Sequence, residues 1–493
     1  MLTILTTTDV NQVVQDAIAS VERLDELVTI TQDSNAIEDL KTLVVDSNEI
    51  TIPLDWYDLE PPYAFPITPL NRENLLALVF YKLGNQQKSF EFVSEEYPIY
   101  HHLLIATHLQ FGYEISDGMV DFCYNTSPHN SAILNYYGVV QNPLDNEGLK
   151  KAFIDAMANS ENDEIKVFTA KHLLNLLLDS GELEEAKQIA KEQLEIALSD
   201  EAKNAMNTHL AGVLMAQLQM PYTKLELDEV HQIQLETIAY FEAKGLKVQA
   251  GMLLVDAAEV ANFKENFIAS KELINKAILY FKQEDIPEFL GEAGFKKAIL
   301  LYTWSKNGSP QYYKAAINAF QDVLKVFKRD THPQKFADVH HNLALIYSEI
   351  PVASEEKAMW TAFCASSFKE VLAFYTKEHY PYENAMASHN YATALMHFPP
   401  AKIHNNLEKA SGLFEEALKV RSAKDYPFER ALTLMNQLEL SWLTHNEAGK
   451  DELKKYEDMK AKAEEVKTLV TDSGLIEQAD EHLQELEKVK SLI

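Results

Sequence analysis

The sequence predicts an all-α protein built as an array of helical hairpins, and three observations carry that expectation. Glycine numbers only 15 in 493 residues, less than half the roughly 7% of average proteins, and glycine is what hairpins and phosphate-binding turns consume. From Glu73 onward, apolar residues recur at helical period in segments of about 12–20 residues separated by short polar or proline-bearing turns. Four prolines, Pro287, Pro333, Pro381 and Pro427, are spaced by 46, 48 and 46 residues, and the sequences around them align without gaps.

Taken in order, residues 1–70 stand apart. They hold 13 acidic and two basic side chains, a net charge of −11. Thr8-Asp9 followed by Val13, Val14, Ile18, Val21 and Leu24 predicts a capped amphipathic helix, and Ser34 a cap for a shorter one. Pro53, Pro61, Pro62, Pro66 and Pro69 then exclude helix, and the aromatics Trp56, Tyr57, Tyr63 and Phe65 between them suggest an extended strap. No β-hairpin signal stands out. Residues 71–245 read as degenerate repeats, 246–470 as repeats of 46–48 residues, and 471–493 as a capping helix. The Lys- and Glu-rich segment from Glu452 supplies the polar outer face that the end of an array needs, although a partner-binding coiled-coil helix is an alternative reading.

Each long repeat carries the same packing face. Seventeen residues before the proline stands a small side chain (Ser270, Ala316, Cys364, Ala410), and thirteen before it a large one (Ile274, Phe320, Phe368, Phe414). Ten before it come Ala277, Val323, Val371 and Ala417. Offsets of four and seven put all three on one helical face, where the small residue permits close approach and the large one fills the gap beside it. After the proline, Gly291, Ala337, Ala385 and Ala431 follow at +4, and Asn342, Asn390 and Asn436 at +9 in the last three repeats. One helix therefore ends before each proline, and the next begins near it.

This arrangement resembles the tetratricopeptide repeat. The nearest copies of its signatures are Asn342-Leu343-Ala344 with Tyr347, Tyr81-Lys82-Leu83-Gly84 with Ser89, and Ser180-Gly181-Glu182-Leu183-Glu184-Glu185-Ala186 with Ala190. The period exceeds the family's standard length, and SEIPVASEEKAMW at 348–360 holds part of the excess. The resemblance spans about eight or nine units over residues 71–470 and implies a right-handed α-solenoid, a superhelix whose first helices line a concave groove. It specifies fold and leaves function open.

With 44 basic and 75 acidic residues the net charge is 44 − 75 = −31, which disfavours nucleic-acid binding. Cys123 and Cys364 are too few for a disulfide framework or structural zinc, and both are expected to be buried thiols. The N-terminus lacks the pattern of a signal peptide and no stretch is long enough to span a membrane, so a soluble cytoplasmic protein is expected. The common phosphate-loop, nucleophile-elbow and zinc motifs are absent, and neither a catalytic residue nor a cofactor is expected. The pairs His101-His102 and His340-His341 are adjacent on a helix and point about 100° apart, a poor geometry for sharing one metal. Asp228 and His231, three apart, are a common surface pairing, and Glu184-Glu185 and Glu415-Glu416 belong to solvated faces.

Within the resemblance, asparagines at one groove position can hold a bound peptide's backbone, since an amide both donates and accepts. Asn342, Asn390 and Asn436 either form such a ladder or stitch neighbouring helices together. By the same alignment the groove takes in Asp338, His341 and Leu345, then Met386, His389 and Thr393, then Leu432, Met435, Glu439 and Trp442. His341, His389 and Met435 occupy the places where grooves for chaperone C-termini carry basic residues, which disfavours that ligand. The preferred reading is a non-enzymatic scaffold that binds a peptide or protein segment, with the acidic field favouring basic partners. An assembly subunit and a peptide-sensing regulator are the alternatives.

Overall fold

The computed structural model describes residues 2–33, 42–51, 68–92, 117–126, 128–160, 163–400, 405–444 and 451–490. The chain divides into two compact units, Met1–Asn266 and Phe267–Ile493.

The first unit opens with a five-stranded sheet in the order β2-β1-β3-β4-β5. β1 (Leu2–Thr6) pairs in parallel with β2 (Val28–Thr31) and β3 (Thr42–Asp46), so that Ile4 lies against Ile30 on one side and Leu43 on the other. β3 turns through Ser47-Asn48 into antiparallel β4 (Glu49–Thr51), which pairs with β5 (Thr68–Pro69). This corrects the expectation of helix and strap alone over 1–70. Leu2, Ile4 and Thr6 are buried alternately, the period-two pattern of a strand. The β3–β4 hairpin closes on Ser47 at φ 55° without the Asn-Gly pair that marks such turns in sequence. The expected first helix exists as α1 (Asn11–Ala19), which buries Val14, Ala17 and Ile18, but its N-cap is Val10 and no side chain caps it. Val13 is exposed, and Leu24 sits in a separate 3-10 turn. The proposed cap Ser34 and the proline strap from Pro53 to Pro66 lie outside the described residues.

Helices follow: α2 (Arg72–Lys82), α3 (Gln86–Glu91), α4 (Asp117–Thr126), α5 (Pro128–Tyr136), α6 (Asn146–Ala158) and α7 (Asp163–Asp179). Then come α8 (Leu183–Ile196), α9 (Asp200–Gln217), α10 (Lys224–Ala243) and α11 (Lys247–Phe263). One core runs from the sheet through these helices, from Ile4 and Val45 to Leu76, Phe153, Leu173 and Val260. Two turns that the repeat signature singles out share one geometry. Gly84 and Gly181 adopt φ 75° and 74°, and the residue after each donates back to Phe80 O and Leu177 O, the glycine-closed helix end that only a residue without Cβ forms cheaply.

The second unit contains α12 (Phe267–Gln283), α13 (Pro287–Lys306), α14 (Tyr313–Val323), α15 (Pro333–Glu349) and α16 (Lys357–Phe374). It ends with α17 (Pro381–Met396), α18 (Asn406–Val420), α19 (Pro427–Leu443), α20 (Glu452–Leu469) and α21 (Ser473–Val489). All four repeat prolines occupy the first helical turn, where the missing N–H costs nothing and φ is already helical. The helices pair as α13/α14, α15/α16, α17/α18 and α19/α20. The repeat face is the core of these hairpins. Ala316, Cys364 and Ala410 are fully buried, as are Phe320, Phe368 and Phe414, and on α12 so are the equivalent Ser270 and Ile274. Cys364 is a free, buried thiol, while the Cys123 side chain lies outside the described residues. Gly291 replaces the alanine of the other repeats because Phe327 leaves no room: a Cβ there would stand 2.7 Å from the ring. Part of the extra length lies between α15 and α16, at Ile350–Glu356.

Among the described residues no helix is long and apolar enough to cross a membrane.

Candidate functional site

Each of α15, α17 and α19 begins with its proline and presents the +5, +9 and +12 positions on one face, since four and seven residues are close to whole turns. The three helices are neighbours in space and carry three rows across that face. Asp338, Met386 and Leu432 form the first, Asn342, Asn390 and Asn436 the second, and Leu345, Thr393 and Glu439 the third. All are partly buried except Glu439, which is exposed. Lys296 on α13 heads the asparagine row.

The asparagines are bonded across repeats through their amide nitrogens. Asn390 Nδ2 donates to His341 Nε2 at 2.9 Å. Asn436 Nδ2 donates to Thr393 Oγ1 at 2.8 Å and lies 3.5 Å from His389 Nε2. Asn342, whose counterpart neighbour on α13 is Phe295 rather than histidine, turns instead to its own helix and donates to Asp338 O at 2.9 Å. The stitching alternative therefore describes the nitrogen end of each amide. The carbonyl end is different: no Oδ1 of the three has a partner among the described residues, and none is buried.

Histidine sets this polarity. Burial holds His341 down to about 4, and burial together with the positive charge of Arg421 holds His389 down to about 3, so both rings are neutral at pH 7. A neutral ring carries one donor and one acceptor nitrogen; the Thr433 hydroxyl gives its proton to Glu429 O, so His389 Nδ1 donates to it and Nε2 is left to accept from the facing amide. His389 Nδ1 meets Thr433 Oγ1 at 3.2 Å, and Thr433 Oγ1 also accepts from Arg421 at 2.8 Å and donates to Glu429 O. Asp338 accepts from the Tyr375 hydroxyl, and burial pushes its carboxyl above the ordinary range, partly offset by that bond.

Three of the groove residues expected from sequence lie elsewhere. His341 is buried and acts beneath the surface. Met435 is 4% exposed and packs in a core with Tyr456 and Met459, because the helix that follows α19 covers it. Trp442 is exposed but donates from Nε1 to His482 of α21 at 3.0 Å, on the side of α19 that faces the terminal helices. There it borders a cavity of about 260 Å³ with Tyr456, Met459 and Leu486. Arg421, Thr433 and Tyr375 were not singled out as groove supports. The signal for Tyr375 and Arg421 is a column six residues before each proline, Phe281, Phe327, Tyr375 and Arg421, in which the last two are polar, and Thr433 is the polar member of the column six after it, Ala293, Val339, Ala387 and Thr433. Of the remaining pairs, Asp228 and His231 both face Lys264, whose ammonium is 2.6 Å from the carboxylate, and His101-His102 lies outside the described residues. Among the described residues no three metal-ligating side chains gather as a metal site would require.

No family model and no curated protein matches the chain. Solved structures do. One is a Signal Transduction ATPase with Numerous Domains protein with a tetratricopeptide repeat sensor from Pyrococcus horikoshii, at 13% identity and a TM-score of 0.41, covering 84% of this chain and 55% of that one. The chain thus spans about half the length of that protein. Naa15/Naa10 bound to HypK-THB matches at 12% identity and a TM-score of 0.38, over 86% of this chain and 76% of that one. An IFIT1 monomeric mutant with Gppp-AAAA matches at 13% and 0.37, over 85% and 90%. None of these scores reaches 0.5, and the repeat architecture rests on the hairpins themselves: paired helices, a small–large–small buried face and a proline-initiated first helix, repeated four times.

Proposed function

We propose that this tetratricopeptide-like array is a non-enzymatic protein-interaction scaffold, and that the face of α15, α17 and α19 holds an extended segment of a partner protein. The observation that carries the reading is the row of three asparagine Oδ1 atoms on adjacent helices, without a partner among the described residues and not sealed from solvent. Each can accept one N–H from a bound backbone, a net contribution of about 1 kcal/mol apiece. Leu345, Met386 and Leu432 supply apolar contact beside them, and Asp338 and Glu439 put negative charge on the same face, so a basic segment fits best. The net charge of −31 speeds the approach of such a partner. A free buried thiol at Cys364 suits the reducing cytoplasm.

The test is a pull-down from cytosol with the intact chain beside Asn342→Ala and Glu439→Lys. Neither change removes a cross-repeat bond, so folding is preserved. A partner retained by the intact chain and depleted from both variants supports the reading. Identical eluates from all three proteins overturn it.

A further inference from the structure

The ladder is one-sided. Because His341, Thr393 and the Asp338 carbonyl each engage one amide nitrogen of the row while the three Oδ1 atoms have no partner among the described residues, a bound segment meets the row with its own N–H groups. Spacing constrains the segment further. Packed helices stand about 8–10 Å apart, and the cross-repeat bonds of Asn390 and Asn436 show that α15, α17 and α19 are in such contact. In a β-strand at about 3.3 Å per residue that step is three residues, but side chains and N–H groups alternate with period two, so every second rung would meet the wrong edge. A polyproline II strand advances about 3.1 Å per residue with three residues per turn, about 9 Å per turn, and its backbone is unbonded internally. Every third N–H then returns to the same side in step with the asparagines.

Building on the groove proposed above, we infer that its ligand is a polyproline II segment with an amide N–H and a cationic side chain at every third residue, the positions between being free to be proline. The N–H groups at i, i+3 and i+6 meet Asn342, Asn390 and Asn436. The intervening residues lie on Leu345, Met386 and Leu432, where proline rings pack without an unmet donor. Cationic side chains on the repeating ridge lie between Asp338 at one end of the face and exposed Glu439 at the other. Lys296 occupies the ladder position on α13 and ends the stretch suited to cations at α15.

The probes are fluorescently tagged acetyl-(Pro-Pro-Arg)4-amide, an all-proline peptide of equal length, and acetyl-(Thr-Arg)6-amide, titrated into the full chain by fluorescence anisotropy. The expected result is binding of the first probe with at least tenfold preference over both others, and a loss of about fivefold in Glu439→Lys and in Asn342→Ala. Equal binding of the all-proline peptide overturns the N–H requirement. Tighter, Asn342-dependent binding of the Thr-Arg peptide overturns the polyproline II conformation while leaving the groove reading in place. If no probe responds to either substitution, this inference falls, and when the cytosolic pull-down is also unchanged the groove reading falls with it. Circular dichroism of each variant confirms an unchanged helix content before titration.

Discussion

Acidification from pH 7.5 to 5.0 is expected to weaken the second unit, and the two histidines of the asparagine row account for a defined part of the loss. His341 and His389 are held to about 4 and about 3 in the folded state, whereas an unfolded histidine titrates near 6.5. The folded values are depressed, so the unfolded chain takes up protons first. Stability is complete above about pH 6.5 and is lost progressively as the pH falls toward the folded values. At pH 5 the unfolded imidazole is almost fully protonated and the folded one almost neutral, a difference of about 1.5 pH units or about 2 kcal/mol per histidine, about 4 for the pair. Such a loss is a large share of ordinary domain stability. Urea unfolding followed by tryptophan fluorescence reports on the right region, since Trp304, Trp360 and Trp442 all lie in the second unit. The comparison is with His341→Gln/His389→Gln, whose amides accept the same bonds and never charge. Carboxylates such as Glu416, held to about 2 by Lys377 and Lys419, change equally in both proteins and cancel. The variant should lose about 4 kcal/mol less than the wild type between the two pH values. Equal losses would refute the claim that these rings are buried as neutral acceptors.

Four further outcomes follow from particular contacts. Gly291→Ala places a methyl 2.7 Å from Phe327 and should cost about 1–3 kcal/mol by overpacking, recovered in part by Phe327→Leu. An unchanged melting temperature in the single variant contradicts that packing. Phe368→Ala empties a fully buried site against Tyr391, 4.8 Å between ring centroids, and should cost about 3–5 kcal/mol in urea. Arg421→Tyr restores the aromatic of the preceding repeats and removes a buried cation whose Nε lacks a partner. Its stability should equal or exceed wild type, and a loss above about 2 kcal/mol would show that the guanidinium holds the Thr433 and His389 bonds together. Asn390→Asp puts a carboxylate against His341 Nε2, so NMR titration should find that ring moved from about 4 to above its free value; a ring still neutral at pH 6 argues against the contact.

Much of the array was legible because repetition averages out local noise. A small residue, a large one and a second small one at offsets of four and seven before a proline mean little once and a great deal four times over, and all twelve such side chains are buried. The sheet escaped notice because its strands are five residues or fewer and threonines fill two of the five places in β1 and two of the four in β2, leaving too short an alternation to compete with the helical pattern of α1. The histidines were visible next to their asparagines in sequence, but neighbours on a helix diverge. The true partner of Asn390 is 49 residues away and that of Asn436, Thr393, is 43, one repeat back. Met435 looked like His341 and His389 by position, and only the terminal helices, which break the repeat, show that its site is covered.

The cross-repeat bonds also bear on how the second unit comes apart. In a linear array each hairpin touches only its neighbours, and stability is a sum of intrinsic terms and nearest-neighbour couplings. Apolar contact between hairpins is tolerant of small slippage, whereas an amide seated on an imidazole nitrogen is directional and fails abruptly. Two directional links in series join α15, α17 and α19, Asn390 to His341 and Asn436 to Thr393, and the Tyr302 hydroxyl of α13 donates to Glu349 of α15. Opening one hairpin therefore breaks directional bonds to the next, and the backbone amides of the linked hairpins are expected to exchange with solvent as one cooperative unit that reaches back to α13 through Tyr302 and Glu349.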